Sequence, residues 1–304
     1  MSGLVVGLAL AVLASVALNG SYLLEHRGAA SAPAITPRRP IASFLGLLAS
    51  RAWLAGAALG TAGWAMHVTA LTKAPLSLVQ AFLAGGLVVI VPLAARLLHR
   101  PVQRSEIGAV ALMTVALVGL TIGIGREGSQ HHFTTGPLSA YLGVSFALTA
   151  ALVLVRGERR SHALGLAGGV LYGAADVAIK GLTGIAADHG IGRVFVSPWL
   201  AVAIGLSIGA FFCFQRGLQT GRALPVIALM TAGTNVVSII GGFAVFGDPL
   251  GTTFALSVLH LACFAVVAVA AWLLAPAQAA LTVGQEDEDE DEPATRRETA
   301  PAGV

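Results

Sequence analysis

Long apolar runs repeat along almost the whole chain, and each of them is long enough to cross a lipid bilayer. A membrane-spanning helix needs roughly 17–25 mostly apolar residues, because the hydrocarbon core is about 30 Å thick and each helical residue advances about 1.5 Å. Lipid offers the backbone no hydrogen-bond partners, so such runs have to form helices. We therefore expect an all-α, polytopic membrane helical bundle with about nine transmembrane helices. The predicted spans are 3–24, 53–72, 77–95, 106–125, 138–155, 164–186, 198–215, 224–245 and 252–274.

The composition agrees with this fold class. The chain is 56% hydrophobic and only 11% charged, whereas soluble domains contain about 25% charged residues. Cys213 and Cys263 lie inside apolar runs, which excludes a disulfide framework or zinc spacing. No phosphate-binding loop, zinc-protease motif or nucleophile elbow occurs, so we expect neither enzymatic activity nor a cofactor. The N-terminus lacks the features of a cleaved signal peptide, so the first run is predicted to be a retained span.

Basic residues are concentrated in alternate connections between the spans, which predicts the orientation of the chain. The richer set contains Arg27, Arg38, Arg39, Arg51, Arg96, Arg100, Arg104, Arg156, Arg159, Arg160, Arg216 and Arg222. The opposite set contains Lys73, Arg126 and Arg193. We therefore expect an integral cytoplasmic-membrane protein with its N-terminus outside and its C-terminus in the cytoplasm. This placement also explains the basic pI by membrane topology, so no nucleic-acid partner is expected.

Two parts of the chain resemble each other in order and spacing. Trp53-Leu-Ala opens the second span and Trp199-Leu-Ala opens the seventh, and Ala84-Gly-Gly86 matches Thr231-Ala-Gly233. The fifth span lies between the matched units, so the units enter the membrane from opposite sides. Inverted-topology repeats of this kind are typical of secondary transporters. The predicted division is a first half at 1–137 with a cytoplasmic loop at 25–52, a second half at 138–274, and a disordered acidic cytoplasmic tail at 275–304.

The sixth span carries an acid and a lysine inside an otherwise apolar run. Asp176 and Lys180 share one stripe, about 100° wide, with Gly165, Gly169, Gly173 and Gly184. Small residues allow close helix packing, so this stripe should face protein rather than lipid. Ionisable residues within a membrane indicate a functional site by default, and Asp176 and Lys180 are the predicted substrate-binding and proton-coupling pair. The alternative is a structural pair at i and i+4 that holds helices in register.

Further polar side chains are spread over matched spans of both halves, where they could line a central cavity. The alternative for each of them is interhelical hydrogen bonding, and His260 is expected to be a satisfied core histidine. Glycine pairs such as Gly205 and Gly209 indicate close helix contact within the bundle or in a homodimer. The predicted cavity residues are Asn19, Tyr22, Trp64, His67, Gln80, Thr231 and Asn235.

Five motifs in the first half of the chain carry a resemblance to known proteins. They are Asn19-Gly-Ser-Tyr, Gly60-Thr-Ala-Gly-Trp-Ala-Met-His67, Ala70-Leu-Thr-Lys-Ala-Pro-Leu-Ser-Leu-Val-Gln80, Pro92 and Glu106-Ile-Gly-Ala. The chain resembles the drug/metabolite transporter superfamily of EamA-type permeases, and in particular its nine-span, NIPA-like magnesium transporter branch. The resemblance covers spans 1–9 and implies inverted repeats in which the first helix of the first half is missing. It also implies transport of a solute or of Mg²⁺.

These observations predict a secondary transporter that moves a small solute by alternating access with coupled proton movement. Its substrate would be a small molecule or an ion. Transport of Mg²⁺ or another divalent cation is the first alternative, although Lys180 would repel such an ion and the spans offer few carboxylates, so no resident metal site is expected. The second alternative is a membrane scaffold without transport activity that binds partners through the acidic tail at Glu286 to Glu292.

Overall fold

Helices make up the regular structure of the protein, for which a computed structural model describes residues 3–30, 49–89, 91–92, 103–122, 133–221 and 223–283. No strand occurs within these ranges. The predicted all-α polytopic bundle is therefore confirmed. The loop residues 31–48 and the acidic residues 284–304 lie outside the described part of the chain.

Ten α-helices and one short 3₁₀ turn follow one another in the described ranges. Seven segments are long and apolar enough to cross a membrane by length and composition. Two shorter apolar helices, Leu76–Val89 and Pro198–Phe214, occupy the positions of the third and seventh predicted spans. The helices are α1 (Gly3–Ala30), α2 (Arg51–Leu71), α3 (Leu76–Gly85), α4 (Arg104–Thr121), α5 (Thr135–Val153), α6 (Arg160–His189) after the 3₁₀ turn Gly157–Arg159, α7 (Ile191–Phe195), α8 (Pro198–Thr220), α9 (Ala223–Phe246) and α10 (Phe254–Val283).

Side chains close to the helix starts satisfy backbone N–H groups that have no partner within the helix. Ser50 Oγ accepts from Trp53 N at 3.4 Å at the start of α2, and Ser197 Oγ accepts from Trp199 N at 3.3 Å at the start of α8. Because Ser, Thr, Asp and Asn are good N-caps, both helix starts follow from local sequence. The two Trp-Leu-Ala motifs thus begin helices that are capped in the same way.

The long helix α6 lies at the centre of the bundle and packs against α5, α8 and α9. Gly165 and Gly173 are buried and face the α9 backbone: a Cβ added at Gly165 would lie 2.7 Å from Val226 O, and one at Gly173 would lie 2.8 Å from Thr234 O. A side chain at either position would push the two helices apart. The predicted small-residue stripe of α6 therefore faces protein.

Helices α2 and α3 are joined by residues 72–75, so two helix ends lie next to each other at one end of the bundle. Leu71, Ala74 and Leu76 are fully buried there, and α3 packs against α1 and α9. The last carbonyls of α2 and the first N–H groups of α3 lack partners within their own helices. Other parts of the chain have to supply those partners.

At the C-terminal end, α10 continues past the predicted end of the last span. Residues 275–283 are helical, where the sequence placed the beginning of the acidic tail. This stretch consists mostly of apolar residues that favour helix, and Pro276 is accommodated within it.

Candidate functional site

The carboxylate of Asp176 lies in the middle of α6 and joins it to two other helices. Its Oδ2 accepts a hydrogen bond from Gln80 Nε2 of α3 at 2.8 Å and one from Ser238 Oγ of α9 at 3.1 Å. Asp176 is only partly buried, whereas Gln80 and Ser238 are fully buried. A carboxylate held by two neutral donors can exchange these partners for those of a ligand.

The side-chain amide of Gln80 turns its NH2 group towards Asp176, because the carboxylate accepts hydrogen bonds and would repel the amide oxygen. Its Nε2 also lies 3.4 Å from His67 Nε2 of α2, which is the accepting nitrogen in this arrangement. The other amide atom, Oε1, is buried and has no hydrogen-bond partner in the described structure. His67, Gln80, Asp176 and Ser238 thus form one network, which we call the Asp176 network.

Lys180 lies one turn beyond Asp176 on α6 and is fully buried. Its Nζ donates to the carbonyl oxygen of Leu71 and to that of Ala74, the latter at 3.1 Å. These carbonyls belong to the C-terminal end of α2 and to the connection before α3, where the helix dipole favours a positive charge. The structure therefore gives Asp176 and Lys180 different hydrogen-bond partners, although the two residues are one helical turn apart.

Asp248, in the connection between α9 and α10, caps the N-terminus of α3. Its Oδ2 accepts from Ser77 N at 2.7 Å across a separation of 171 residues. Pro75, at the N-cap position of α3, makes no side-chain capping bond, so Asp248 supplies the acceptor that a local Ser or Asp would supply elsewhere. A helix of the predicted first half is therefore capped by a residue of the predicted second half.

Glycine at position 242 makes this cap possible. Asp248 N donates to Gly242 O at 3.1 Å. A Cβ at Gly242 would lie 2.9 Å from Ser77 N and even closer to Asp248 Oδ2. The approach of the carboxylate to α3 therefore requires the absence of a side chain at this position.

Lys180 and Asp248 attract each other electrostatically. Burial raises the pKa of Asp248, and hydrogen bonds from the Ser77 N–H and the Ser77 hydroxyl, together with the positive charge of Lys180, partly oppose this rise. Two carboxylates, Asp176 and Asp248, and one ammonium, Lys180, leave a net charge of minus one when all three are ionised. The arrangement therefore suits a positively charged ligand better than an anion.

The other predicted cavity residues have varied surroundings. Asn19 is buried in α1, where its Nδ2 donates to Ser15 O at 2.8 Å within the same helix. Trp64 is 55% exposed on α2. Thr231 and Asn235 share a face of α9 with Ser238, because the spacing i, i+4, i+7 follows the helical repeat. The side chain of Tyr22 lies outside the described structure.

Sequence reasoning found His67, Gln80 and Asp176, because polar side chains stand out inside apolar spans. It did not assign Ser77 or Asp248 to the site. Asp248 precedes Pro249 in a short connection, so the sequence there indicates only a turn.

His260 behaves as the expected core histidine, since it is buried in α10 and its Nε2 lies 2.9 Å from Ile122 O. In the described ranges, no group of three or more His, Cys, Asp or Glu side chains is arranged to hold a metal ion.

Comparison with known proteins finds similarity to a membrane transporter. An Arabidopsis thaliana protein described as "Probable magnesium transporter NIPA9" is 26% identical over 225 residues, which cover 67% of this chain and 63% of the relative. The chain thus spans less than two thirds of the length of that relative. No protein-family model matches the chain, and no solved structure shows a significant match. The similarity agrees with the NIPA-like part of the resemblance found from the sequence motifs.

Proposed function

We propose that this integral membrane protein is a secondary transporter that moves a small solute by alternating access, with the Asp176 network as its substrate site. The observation that carries the proposal is the carboxylate of Asp176 within an apolar helix, hydrogen-bonded to α3 and to α9. An ionisable side chain inside a membrane is costly and indicates function by default. In transporters with inverted repeats, the substrate binds between the repeats near the middle of the membrane.

The helix contacts support an inverted repeat. If α1, α2, α3 and α4 correspond to α6, α8, α9 and α10, each contact in one half should have an equivalent in the other. The contacts α1–α2, α1–α3, α2–α3 and α3–α4 have the equivalents α6–α8, α6–α9, α8–α9 and α9–α10. The pairs α3–α9 and α4–α10 join equivalent helices across the halves, as a pseudo-twofold axis requires. Helix α5 is the additional span.

In this proposal, the residues around Asp176 change partners during transport. Asp176 binds a positively charged or donor-bearing group of the solute in place of Gln80 or Ser238. Rocking of one half against the other then separates α3 from α9 and exposes the site to the opposite side. A proton on Asp176 would replace the solute on the return step, which provides the coupling. The distribution of basic residues over the connections supports an orientation with the N-terminus outside and the C-terminus in the cytoplasm.

Divalent-cation transport is the second candidate, and the specific observation that favours it is the similarity to the probable magnesium transporter. Mg²⁺ prefers oxygen ligands and keeps several of its waters. Asp176 and Asp248 provide such oxygens. The buried ammonium of Lys180 opposes a second positive charge next to Asp248, so the residues of this chain favour the first candidate.

Uptake into proteoliposomes tests the proposed function. The panel contains amines, amino acids, small organic acids and Mg²⁺, with and without a pH gradient. We expect uptake of one class by the wild type and a decrease of roughly tenfold or more in Asp176→Asn, because the variant loses the charge that binds the solute. Asp188→Asn, at the exposed end of the same helix, is the matched control and should transport normally. Equal uptake by Asp176→Asn and wild type would refute the site assignment, and absence of all uptake would refute the function.

A further inference from the structure

Three buried oxygen atoms in and beside the Asp176 network make no hydrogen bond of normal geometry in the described structure, although the Ser77 hydroxyl interacts with the Asp248 carboxylate. They are Ser77 Oγ, Gln80 Oε1 and Asp248 Oδ1. Their residues are 1%, 0% and 5% exposed, respectively. Buried polar atoms nearly always have a partner, which is a protein group, a water molecule or an ion. We call these three atoms the acceptor row.

The three atoms lie along one side of α3. Ser77 and Gln80 are three residues apart, so their side chains are neighbours on the same helix face. Asp248 is attached to the beginning of this face by its bond to Ser77 N, and Asp176 is attached at Gln80. The acceptor row therefore runs between the two carboxylates.

The chemistry of the row determines what can occupy it. A carboxylate oxygen and an amide oxygen can only accept hydrogen bonds or coordinate a cation, and the lone pairs of the serine oxygen can do the same while its proton is directed to the Asp248 carboxylate. The occupant therefore carries donors or a positive charge. The ammonium of Lys180 already donates to Leu71 O and Ala74 O, and its charge balances one of the two carboxylates. With both carboxylates ionised and the His67 ring acting as an acceptor, one positive charge is missing from the site.

We infer that the acceptor row binds one small monovalent cation, either a metal ion or the ammonium group of a solute, and that Lys180 restricts the site to a single positive charge. This inference rests on the proposed function, because it specifies the substrate or coupling ion of the same site. A divalent ion would leave an uncompensated positive charge in a buried region, which is strongly unfavourable. Replacement of Lys180 by a neutral residue leaves two negative charges and should favour divalent ions.

Cation-dependent thermal stability of the purified full-length protein tests this inference without a transport measurement. The unfolding midpoint is measured with Na⁺, K⁺, ammonium, methylammonium and Mg²⁺, with a bulky organic cation keeping the ionic strength constant. For the wild type we expect one or more monovalent cations to raise the midpoint and Mg²⁺ to have no effect. Stabilisation by Na⁺ or K⁺ identifies a metal ion, and stabilisation by the ammonium ions alone identifies a solute group.

Substitutions test whether the stabilisation by cations depends on the residues of the site. Lys180→Gln should gain stabilisation by Mg²⁺, whereas Lys73→Gln, the same change at the other lysine of the chain, should behave like the wild type. Asp248→Asn should lose the monovalent effect because the net charge of the site becomes zero. Ser77→Ala removes only a hydroxyl and keeps the N–H that binds Asp248, so it provides a mild test if Lys180→Gln does not fold. We expect Ser77→Ala to weaken the apparent cation affinity severalfold.

Two results would overturn the inference. Stabilisation of the wild type by Mg²⁺ would show that Lys180 does not exclude divalent ions and would support the second candidate function. Absence of stabilisation by every cation would show that the acceptor row holds only water. The shift in unfolding midpoint reports cation binding without any transport. A protein that is stabilised by a monovalent cation but transports nothing would therefore refute the proposed function and leave the cation site standing.

Discussion

At the scale of single residues, the contact between Asp248 and the first turn of α3 depends on a glycine. Gly242→Ala would place a methyl group 2.9 Å from Ser77 N and closer still to Asp248 Oδ2. The Ser77 nitrogen is backbone and cannot rotate away, so the Asp248 carboxylate or α9 has to shift. We expect a loss of about 1–3 kcal/mol in the free energy of unfolding, as for other overpacked sites.

Thermal or denaturant unfolding measures this loss, and Gly205→Ala on α8 is the matched control. A Cβ at Gly205 has no atom within 4 Å, so alanine there should leave stability unchanged or raise it by up to about 1 kcal/mol through its higher helix propensity. Equal stability of Gly242→Ala and Gly205→Ala would mean that the cap tolerates a side chain, and Gly242 would then have no special role.

Asp248 also makes a pH-dependent contribution to cation binding. Burial raises its pKa, so on acidification this carboxyl takes up a proton at a higher pH than an exposed aspartate, whose pKa is about 3.9. Protonation removes the negative charge that the cation needs, and Lys180 is the charged residue that faces Asp248. We therefore expect cation stabilisation to weaken as the pH falls below neutral, and to be lost at a higher pH than that at which an exposed aspartate takes up its proton.

The measurement is the shift in unfolding midpoint with saturating cation at each pH. It is compared with Asp248→Asn, whose midpoint should not respond to the cation at any pH. A wild-type cation effect that stays constant as the pH falls below neutral would mean that Asp248 does not titrate there or does not bind the ion.

At the scale of elements, the ends of α2 and α3 are completed by charges from distant parts of the chain. The C-terminal carbonyls of α2 receive the ammonium of Lys180, and the N-terminal N–H of Ser77 receives the carboxylate of Asp248. Each charge has the sign that the local helix dipole favours. Both polar helix ends can therefore be buried, because α6 and the α9–α10 connection provide their partners.

The distance in sequence between interacting residues explains which parts of the molecule could be predicted from the sequence. The spans follow from local hydropathy, and the caps of α2 and α8 follow from a serine next to each helix start. His67, Gln80 and Asp176 were recognisable because polar side chains are rare in apolar runs. The cap from Asp248 to Ser77 joins residues 171 positions apart, and no local pattern records such a pairing. For the same reason, the partners of Lys180 could not be read from its position one turn after Asp176.

At the scale of the whole molecule, the two proposed halves meet along α3–α9 and α4–α10. The Asp176 network and the Asp248 cap both lie at the first contact, so the chemistry of the site is coupled to the separation of α3 from α9. In the second contact, Gly119 of α4 lies close to Cys263 of α10, and neither helix carries a residue of the Asp176 network. This contact provides a place where relative motion of the halves can be blocked without changing the site.

A disulfide between α4 and α10 tests whether transport requires this motion. A Cβ at Gly119 would lie 4.0 Å from the Cβ of Cys263, within the range of about 3.5–4.5 Å found in disulfides. The Sγ of Cys263 lies too close to the position of the added Cβ, but the Cys263 side chain can rotate away. We therefore expect Gly119→Cys to form a cross-link with Cys263 under mild oxidation, visible by mass spectrometry. Since alternating access moves one half against the other, the oxidised variant should lose uptake and regain it on reduction.

The matched control combines Gly119→Cys with Cys263→Ala, which keeps the added cysteine but cannot form the cross-link. Its uptake should be the same before and after oxidation, so a loss in Gly119→Cys alone would come from the bond rather than from the oxidant. Full uptake by the cross-linked protein would contradict rocking of the halves along α4 and α10. It would restrict the movement to α3 and α9, where the Asp176 network and the Asp248 cap are the contacts that have to open.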